Sequence, residues 1–156
     1  MHQLRKLKKG NIFFAIKGDR FDGNDFIKHA LDKGASFIVT SNKELITNKK
    51  CIYVKNTLVC LQNLATFHRV KLNIPLIGIT GSNGKTTTKN LTTLVLKTTY
   101  KVYSTKGNFN NHIGVPLSIL DLNASHEIAV IEMGASGLGE IAFLGEISRP
   151  NVGVIT

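Results

Sequence analysis

The string Gly81-Ser82-Asn83-Gly84-Lys85-Thr86, followed by Thr87, has the residue types of a phosphate-binding loop. Glycines let backbone N–H groups turn inward around a phosphate, and a lysine places a cation beside it. The hydroxyl group of Thr86 suits Mg²⁺, which prefers oxygen ligands. The pattern therefore predicts that the phosphates of a nucleotide such as ATP are bound by Gly81, Ser82, Asn83, Gly84, Lys85, Thr86 and Thr87.

The loop departs in one position from the widespread pattern GxxxxGK[ST]. That pattern has glycine at position 79, where this chain has Ile79 between Gly78 and Gly81. A turn with a purely structural role would explain the glycines, but it would not explain the Gly-Lys-Thr-Thr-Thr string at the start of a helix. The order of strand, turn and helix favours phosphate binding over that alternative.

Glu132 directly follows a second apolar run, residues 128–131. If both runs are parallel strands, their carboxyl ends meet at one edge of a sheet, beside the glycine-rich turn. A Mg²⁺ site at a phosphate loop needs an acidic ligand. We therefore predict that Thr86 and Glu132 bind Mg²⁺. A solvated carboxylate at a strand end is the alternative for Glu132.

The second half of the chain alternates apolar strands with helices, which is typical of a parallel sheet covered by helices. Strands are predicted at residues 76–80, 102–105, 128–133 and 152–156, and helices at 85–97, 115–122 and 139–148. No residues follow the last apolar strand to cover it. We therefore expect the first half of a P-loop ATPase domain with a mostly parallel sheet.

The first half of the chain predicts a smaller mixed α/β domain. Strands are predicted at residues 11–16, 36–40 and 51–55, and helices at 25–33 and from residue 56 or 57 onward. Helical periodicity ends around residues 70–75, where Pro75 disfavours helix, so the expected domains are residues 1–73 and 74–156. One face of the second helix carries Leu58, Leu61, Leu64, Ala65 and His68.

The composition indicates a globular protein with a basic surface. Its 156 residues include 20 Lys and Arg against 10 Asp and Glu, which gives a formal net charge of +10. The basic residues are scattered, so a solvated surface is favoured over a nucleic-acid partner.

No apolar run approaches the roughly 20 residues that span a bilayer. Cys51 and Cys60 lack metal-ligand spacing. We expect a cytoplasmic protein with free thiols and no membrane insertion.

Five strings together resemble the Mur ligase family. They are FFAIKGDRFDGNDF (13–26), GITGSNGKTTTK (78–89), TKGNFNNHIGVPLSIL (105–120), VIEMGASGLGEI (130–141) and RPNVGVIT (149–156). The phosphate loop of this family follows TGxNGKT, so Ile79 fits the family. The strings NFNN and EMGA are most similar to the member that joins D-Ala-D-Ala to UDP-MurNAc-tripeptide. The member that acts just before it is the alternative.

The resemblance implies an ATP-dependent amide-bond ligase of peptidoglycan precursor synthesis. It also implies catalytic roles for Lys85 and Glu132, with Lys85 stabilising the transferred phosphoryl group. In such a reaction the γ-phosphoryl group of ATP passes to a substrate carboxylate, and the amine of D-Ala-D-Ala attacks the acyl phosphate. A P-loop kinase is a second possibility, but it would need an acceptor site and an Arg-rich lid, which the residues after Thr105 do not offer. A nucleotide-binding module without catalysis is the third.

The resemblance also implies contacts with the UDP-sugar peptide. Asn110 and Asn111 match a family loop near the reacting end of that substrate. Arg20 and Asp22 match a substrate-facing loop of the first domain, where an arginine can meet a pyrophosphate. Turn-forming roles explain both sets of residues about as well.

The chain differs from the family in two respects. The usual Asp-Ser/Thr-Arg string near the start is Gln3-Leu4-Arg5 here, so only the arginine of this uridine-binding string matches. The family also has a further half of the central domain, with a metal-binding His and a carbamylated Lys, and then a carboxy-terminal domain. We therefore expect this chain to be a fragment that does not turn over alone, from a protein that is a monomer at full length.

Overall fold

The computed structural model describes residues 7–18 and 21–156. They form two compact units, with the boundary between Cys60 and Leu61. Each unit contains its own parallel sheet and its own buried apolar core. Within the described ranges, no helix has the length and apolar character that crossing a bilayer requires.

The first unit is built on a three-stranded parallel sheet with the order β1-β4-β5. Strands β2 and β3 form a separate antiparallel pair. The core contains Phe13, Ala15, Ile27, Ala30 and Ile38. The elements are β1 (Ile12–Phe14), β2 (Lys17–Gly18), β3 (Phe21–Asp22), α1 (Ile27–Asp32), β4 (Phe37–Thr40) and β5 (Cys51–Tyr53), with 3₁₀ turns at Gly23–Phe26 and Lys43–Thr47.

Helix α1 is shorter than the helix predicted over residues 25–33. The prediction is wrong at the start because Gly23–Phe26 forms a 3₁₀ turn, in which the N–H of Asn24 donates to Asp22 Oδ1 at 2.9 Å. Its end is confirmed: Gly34, with a φ of 81°, has the left-handed conformation that commonly follows a helix.

Helix α2 (Thr57–Leu72) begins in the first unit and continues into the second. Its predicted start is confirmed, since Asn56 Oδ1 accepts from the N–H groups of Leu58 and Val59, both at 3.0 Å. The predicted apolar stripe is only partly buried: Leu61 and Ala65 are fully buried, whereas Leu64 is 38% exposed. Instead, Arg69 is buried, and its guanidinium donates to the carbonyl groups of Ser148 and Arg149.

The second unit confirms the predicted alternation of strands and helices. All its strand pairs are parallel, in the order β7-β8-β6-β9. Its core contains Leu76, Val115, Ile119, Ala129 and Ile131, which are fully buried. The elements are β6 (Leu76–Thr80), α3 (Lys85–Leu96), β7 (Val102–Ser104), α4 (Gly114–Leu120), β8 (Ile128–Glu132), α5 (Glu140–Ser148) and β9 (Val152–Ile155).

Candidate functional site

The glycine-rich loop connects β6 to α3 at the carboxyl end of an inner strand of the sheet. Strand β6 pairs with β8 on one side and with β9 on the other. Gly81 has a φ of 141° and Gly84 a φ of 77°, conformations that residues with a Cβ atom rarely adopt. A Cβ atom on Gly81 would also overlap the backbone of Thr156. The path of the loop therefore requires glycine at position 81.

The loop is exposed, and its backbone donors are free. Ser82, Asn83, Gly84 and Thr86 are all exposed to solvent. Among the residues that the structure describes, none accepts a hydrogen bond from the N–H groups of positions 82–86. Helix α3 also has no side-chain cap at its first turn. Free N–H groups at the positive end of a helix dipole are the features that bind anions such as phosphate.

Lys85 adds a full positive charge to this loop. Its Nζ donates to the carbonyl oxygen of Gly81 at 2.6 Å and to that of Ser82 at 3.2 Å. These two bonds hold the ammonium group against the loop. Because a charged donor binds phosphate more strongly than a neutral one, Lys85 and the free amides together form a site suited to a polyanion.

Glu132, at the end of β8, is 3% exposed and bonded through both carboxylate oxygens. Thr86 Oγ1 donates to Oε2 at 3.0 Å, and Asn110 Nδ2 donates to Oε1 at 2.9 Å. The N–H of Glu132 donates to Thr105 Oγ1 at 3.0 Å. The alternative of a solvated carboxylate is therefore wrong, because these neighbours enclose the side chain.

Thr86 and Glu132, the two predicted Mg²⁺ ligands, lie in contact through the oxygens that would bind the ion. A hydroxyl and a carboxylate are hard oxygen donors, and Mg²⁺ commonly combines one or two such protein ligands with water and phosphate oxygens. Within residues 7–18 and 21–156, no group of three or more His, Cys, Asp and Glu side chains could hold a metal. The pair therefore fits a Mg²⁺ ion that takes most of its ligands from a nucleotide and water.

Lys89 belongs to the same buried network, although the sequence analysis did not predict it. Its Nζ lies 3.5 Å from Glu132 Oε2 and donates to the carbonyl oxygen of Thr105 at 3.1 Å. Lys89 follows Thr86 by three positions on α3, so both side chains lie on one helix face. That spacing was visible in the sequence, whereas the burial of the face depends on packing against β7 and β8.

Asn110 and Asn111, both predicted to bind the UDP-sugar peptide, have different contacts. The amide of Asn110 donates to Glu132, so Asn110 is part of the buried network. Asn111 Oδ1 accepts from the N–H groups of Ile113 at 3.1 Å and Gly114 at 2.8 Å, at the start of α4. The geometry of Asn111 is that of the turn-forming alternative.

The two residues predicted in the first unit are Asp22 and Arg20. Asp22 accepts from the N–H and from the side-chain amide of Asn24, at 2.9 and 2.7 Å. The N–H of Asn24 is the main reason that the pKa of Asp22 lies below its usual value. Asp22 thus has a local capping role in the turn. Arg20 lies outside the described residues.

Family signatures match the chain along nearly its whole length. The signature described as the Mur ligase family, catalytic domain, matches residues 5–76, and the one described as the Mur ligase middle domain matches residues 79–156. The chain therefore belongs to the Mur ligase family.

Curated proteins similar to this chain include several UDP-N-acetylmuramoyl-tripeptide–D-alanyl-D-alanine ligases. The one from Bacillus subtilis is 45% identical over 154 residues, which are 97% of this chain and 34% of that protein. The one from Synechocystis is 43% identical, with the same coverage. The chain thus spans about a third of the length of these relatives.

Solved structures of MurF are similar to the fold. A structure of MurF from Acinetobacter baumannii has a TM-score of 0.89 at 33% identity and covers 97% of this chain, which matches 34% of that protein. The structure of MurF ligase from Thermotoga maritima in complex with ADP has a TM-score of 0.86 at 39% identity, over 97% of this chain and 35% of that protein. These similarities confirm the predicted mixed α/β fold class with parallel sheets.

Proposed function

We propose that this chain is the nucleotide-binding part of an ATP-dependent ligase that joins D-Ala-D-Ala to UDP-MurNAc-tripeptide. The observation that carries the proposal is the exposed loop after β6, in which the N–H groups of residues 82–86 remain free beside Lys85 and the Thr86–Glu132 pair. The names of the similar ligases supply the substrates, and the ADP complex of the Thermotoga maritima protein supports use of ATP.

Each residue of the site has a role in this proposal. The amides of residues 81–87 bind the β- and γ-phosphates, and Lys85 stabilises the negative charge of the transferred phosphoryl group. Thr86 and Glu132 hold Mg²⁺, which neutralises phosphate charge when it is bound. Asn110 keeps the Glu132 carboxylate in place through its hydrogen bond to Oε1.

The proposed reaction has two steps. The terminal carboxylate of the tripeptide takes the γ-phosphoryl group of ATP and becomes an acyl phosphate, with ADP as the leaving group. The amine of D-Ala-D-Ala then attacks the acyl carbon, loses a proton and expels phosphate to give the amide. The protein contributes mainly by positioning the reactants and compensating their charge.

The remaining assignments belong to the same proposal. Residues 1–73 form the domain for the UDP-linked substrate, with Arg20 and Asp22 near it, and residues 74–156 form part of the ATP-binding domain. The loop that contains Asn110 and Asn111 lies near the reacting end of the tripeptide, where Asn110 orients Glu132 and Asn111 stabilises the turn. The full-length ligase works as a cytoplasmic monomer on small-molecule substrates and needs no nucleic acid.

A chimera tests the ligase function. In it, this chain replaces the matching third of the Bacillus subtilis ligase, and ADP formation is measured with ATP, UDP-MurNAc-tripeptide and D-Ala-D-Ala. We expect ADP formation that depends on D-Ala-D-Ala, and a loss of about 100-fold or more with Lys85→Met, because a charged donor to the transferred group is removed. Lys101→Met, at an exposed lysine away from the loop, is the matched control and should leave the rate unchanged. A folded chimera that binds ATP but forms no product would contradict the proposal.

A further inference from the structure

Lys89 is a buried cation to which the proposed phosphate chemistry gives no role. Its side chain is 5% exposed, and that of Glu132, its partner, is 3% exposed. A buried ammonium group is stable only when an anion and hydrogen-bond acceptors compensate for the lost water. Lys89 has both, in the Glu132 carboxylate and in the carbonyl oxygen of Thr105.

The ammonium group of Lys89 shares one oxygen with Thr86. Glu132 Oε2 lies 3.5 Å from Lys89 Nζ and accepts from Thr86 Oγ1 at 3.0 Å. The other oxygen, Oε1, is held by Asn110. The carboxylate oxygen nearest to Thr86 therefore already faces one positive charge.

A like charge beside a ligand atom opposes the binding of a second cation, and the effect is larger where water is excluded. A free divalent ion brings two positive charges and no anion to offset them. A metal bound to a nucleotide brings phosphate charge, which can compensate both the ion and nearby ammonium groups. The position of Lys89 therefore discriminates between a free metal ion and a metal–nucleotide complex.

We propose that Lys89 is a positioning residue for Glu132: it compensates the buried carboxylate in the absence of metal and weakens the binding of free divalent ions. The site consequently takes up its metal together with the nucleotide. This inference rests on the proposed Mg²⁺ role of Thr86 and Glu132.

The test uses this chain with Lys89→Met, which keeps the length of the side chain and removes its charge. Unfolding temperature is measured with and without Mn²⁺, and Mn²⁺ binding without nucleotide is measured by electron paramagnetic resonance. Because one partner of a buried ion pair is lost, we expect the Tm to fall by about 10 °C without metal. We expect Mn²⁺ to bind Lys89→Met roughly tenfold more tightly than it binds the unsubstituted chain. Bound Mn²⁺ should also reverse part of the fall in Tm.

Lys106→Met is the matched control, since it breaks an ion pair with Asp121 in which the lysine side chain is 69% exposed. Its Tm should change by no more than about 2 °C, and its Mn²⁺ affinity should not change. If Lys89→Met behaves like this control in both measurements, the inference is overturned.

The double variant Lys89→Met/Glu132→Gln decides the case in which Lys89→Met does not fold. It replaces a buried ion pair by two neutral side chains, so charge compensation predicts recovery of most of the lost Tm. Failure of the double variant to recover would show that Lys89 acts through packing, and would overturn the inference. If Mn²⁺ without nucleotide binds Lys89→Met no more tightly than the unsubstituted chain, the claim that Lys89 weakens the binding of free ions is overturned. The proposed Mg²⁺ role, in which the nucleotide supplies most ligands, is tested separately by the chimera, and the Tm recovery still decides the role of Lys89 in charge compensation.

Discussion

Asp22 is a residue whose local hydrogen bonds explain its presence in the turn. Its carboxylate accepts from the N–H and the amide of Asn24, and it lies 3.8 Å from Lys17 Nζ in a solvent-exposed ion pair. Exposed ion pairs contribute little, so the capping bonds account for most of the stabilisation by this side chain.

Asp22→Ala should therefore lower the free energy of unfolding by about 1 kcal/mol. Asp22→Asn should lower it by much less, because both Asp and Asn cap well. The lowered pKa of Asp22 also sets the sign of the pH dependence. Its stabilisation is present above the unfolded pKa and is lost as the pH falls through the lower folded pKa. In urea titrations, the difference between the unsubstituted chain and Asp22→Ala should shrink below about pH 4. If Asp22→Asn and Asp22→Ala lowered the free energy of unfolding equally, the capping role would be contradicted.

At the level of single residues, the sequence predicts what depends on neighbours along the chain. The loop at positions 81–86 is identifiable because its glycines, lysine and threonine are consecutive. Lys89 and Thr105 were not predicted, because their contacts with Glu132 join separate elements. The roles of Asn110 and Asn111 likewise differ only through what each side chain contacts in the folded unit.

The connection from β6 to α3 is the element on which the site depends. Gly81 and Gly84 both have positive φ values, 141° and 77°. They differ in space: a Cβ atom on Gly84 would lie 3.7 Å from Thr156 Cβ, an ordinary contact, whereas one on Gly81 would overlap the Thr156 backbone. An alanine substitution at Gly84 therefore introduces conformational strain alone, whereas one at Gly81 adds steric overlap.

Gly84→Ala should lower the free energy of unfolding by about 1 kcal/mol through its left-handed backbone alone. Gly81→Ala should lower the free energy of unfolding by clearly more than Gly84→Ala does. It should also weaken MgATP binding, because the loop must move to accommodate the new methyl group. Chemical unfolding and isothermal titration calorimetry measure the two effects. Equal losses of stability with unchanged MgATP affinity would show that the overlap at Gly81 does not constrain the loop.

At the level of elements, apolar runs and glycines predict most of the second unit. Its inner strands β6 and β8 are mostly buried, so their sequences are continuously apolar and easily identified. The first unit is less regular. Asp22 caps a 3₁₀ turn that precedes α1. On α2, the buried face includes Arg69, whose side chain makes polar contacts. Neither feature produces a helical hydrophobic pattern. The predicted start of α1 is therefore wrong, and the exposure of Leu64 could not be predicted from the apolar stripe.

For the whole molecule, the alternation of strands and helices was sufficient to predict the fold class. The positive formal net charge of +10 would favour the approach of anionic nucleotide substrates, but it does not select among them. In the proposed function, selection depends on the carboxyl edge of the second sheet. There, the loop after β6 and the end of β8 place Lys85, Thr86 and Glu132 close together.

In the proposed function, the free amides of residues 82–86 hold the phosphates of a nucleotide. A titration of the ¹⁵N-labelled chain with MgADP, in which NMR spectra follow the backbone amide signals, measures this contact at each amide. We predict that the largest chemical-shift changes occur at the amides of Ser82, Asn83, Gly84, Lys85 and Thr86. Lys85→Met should lower the affinity for MgADP by about tenfold or more, because a charged donor is lost. Saturating MgADP that leaves these five signals in place, or moves mainly signals elsewhere in the chain, would contradict the claim.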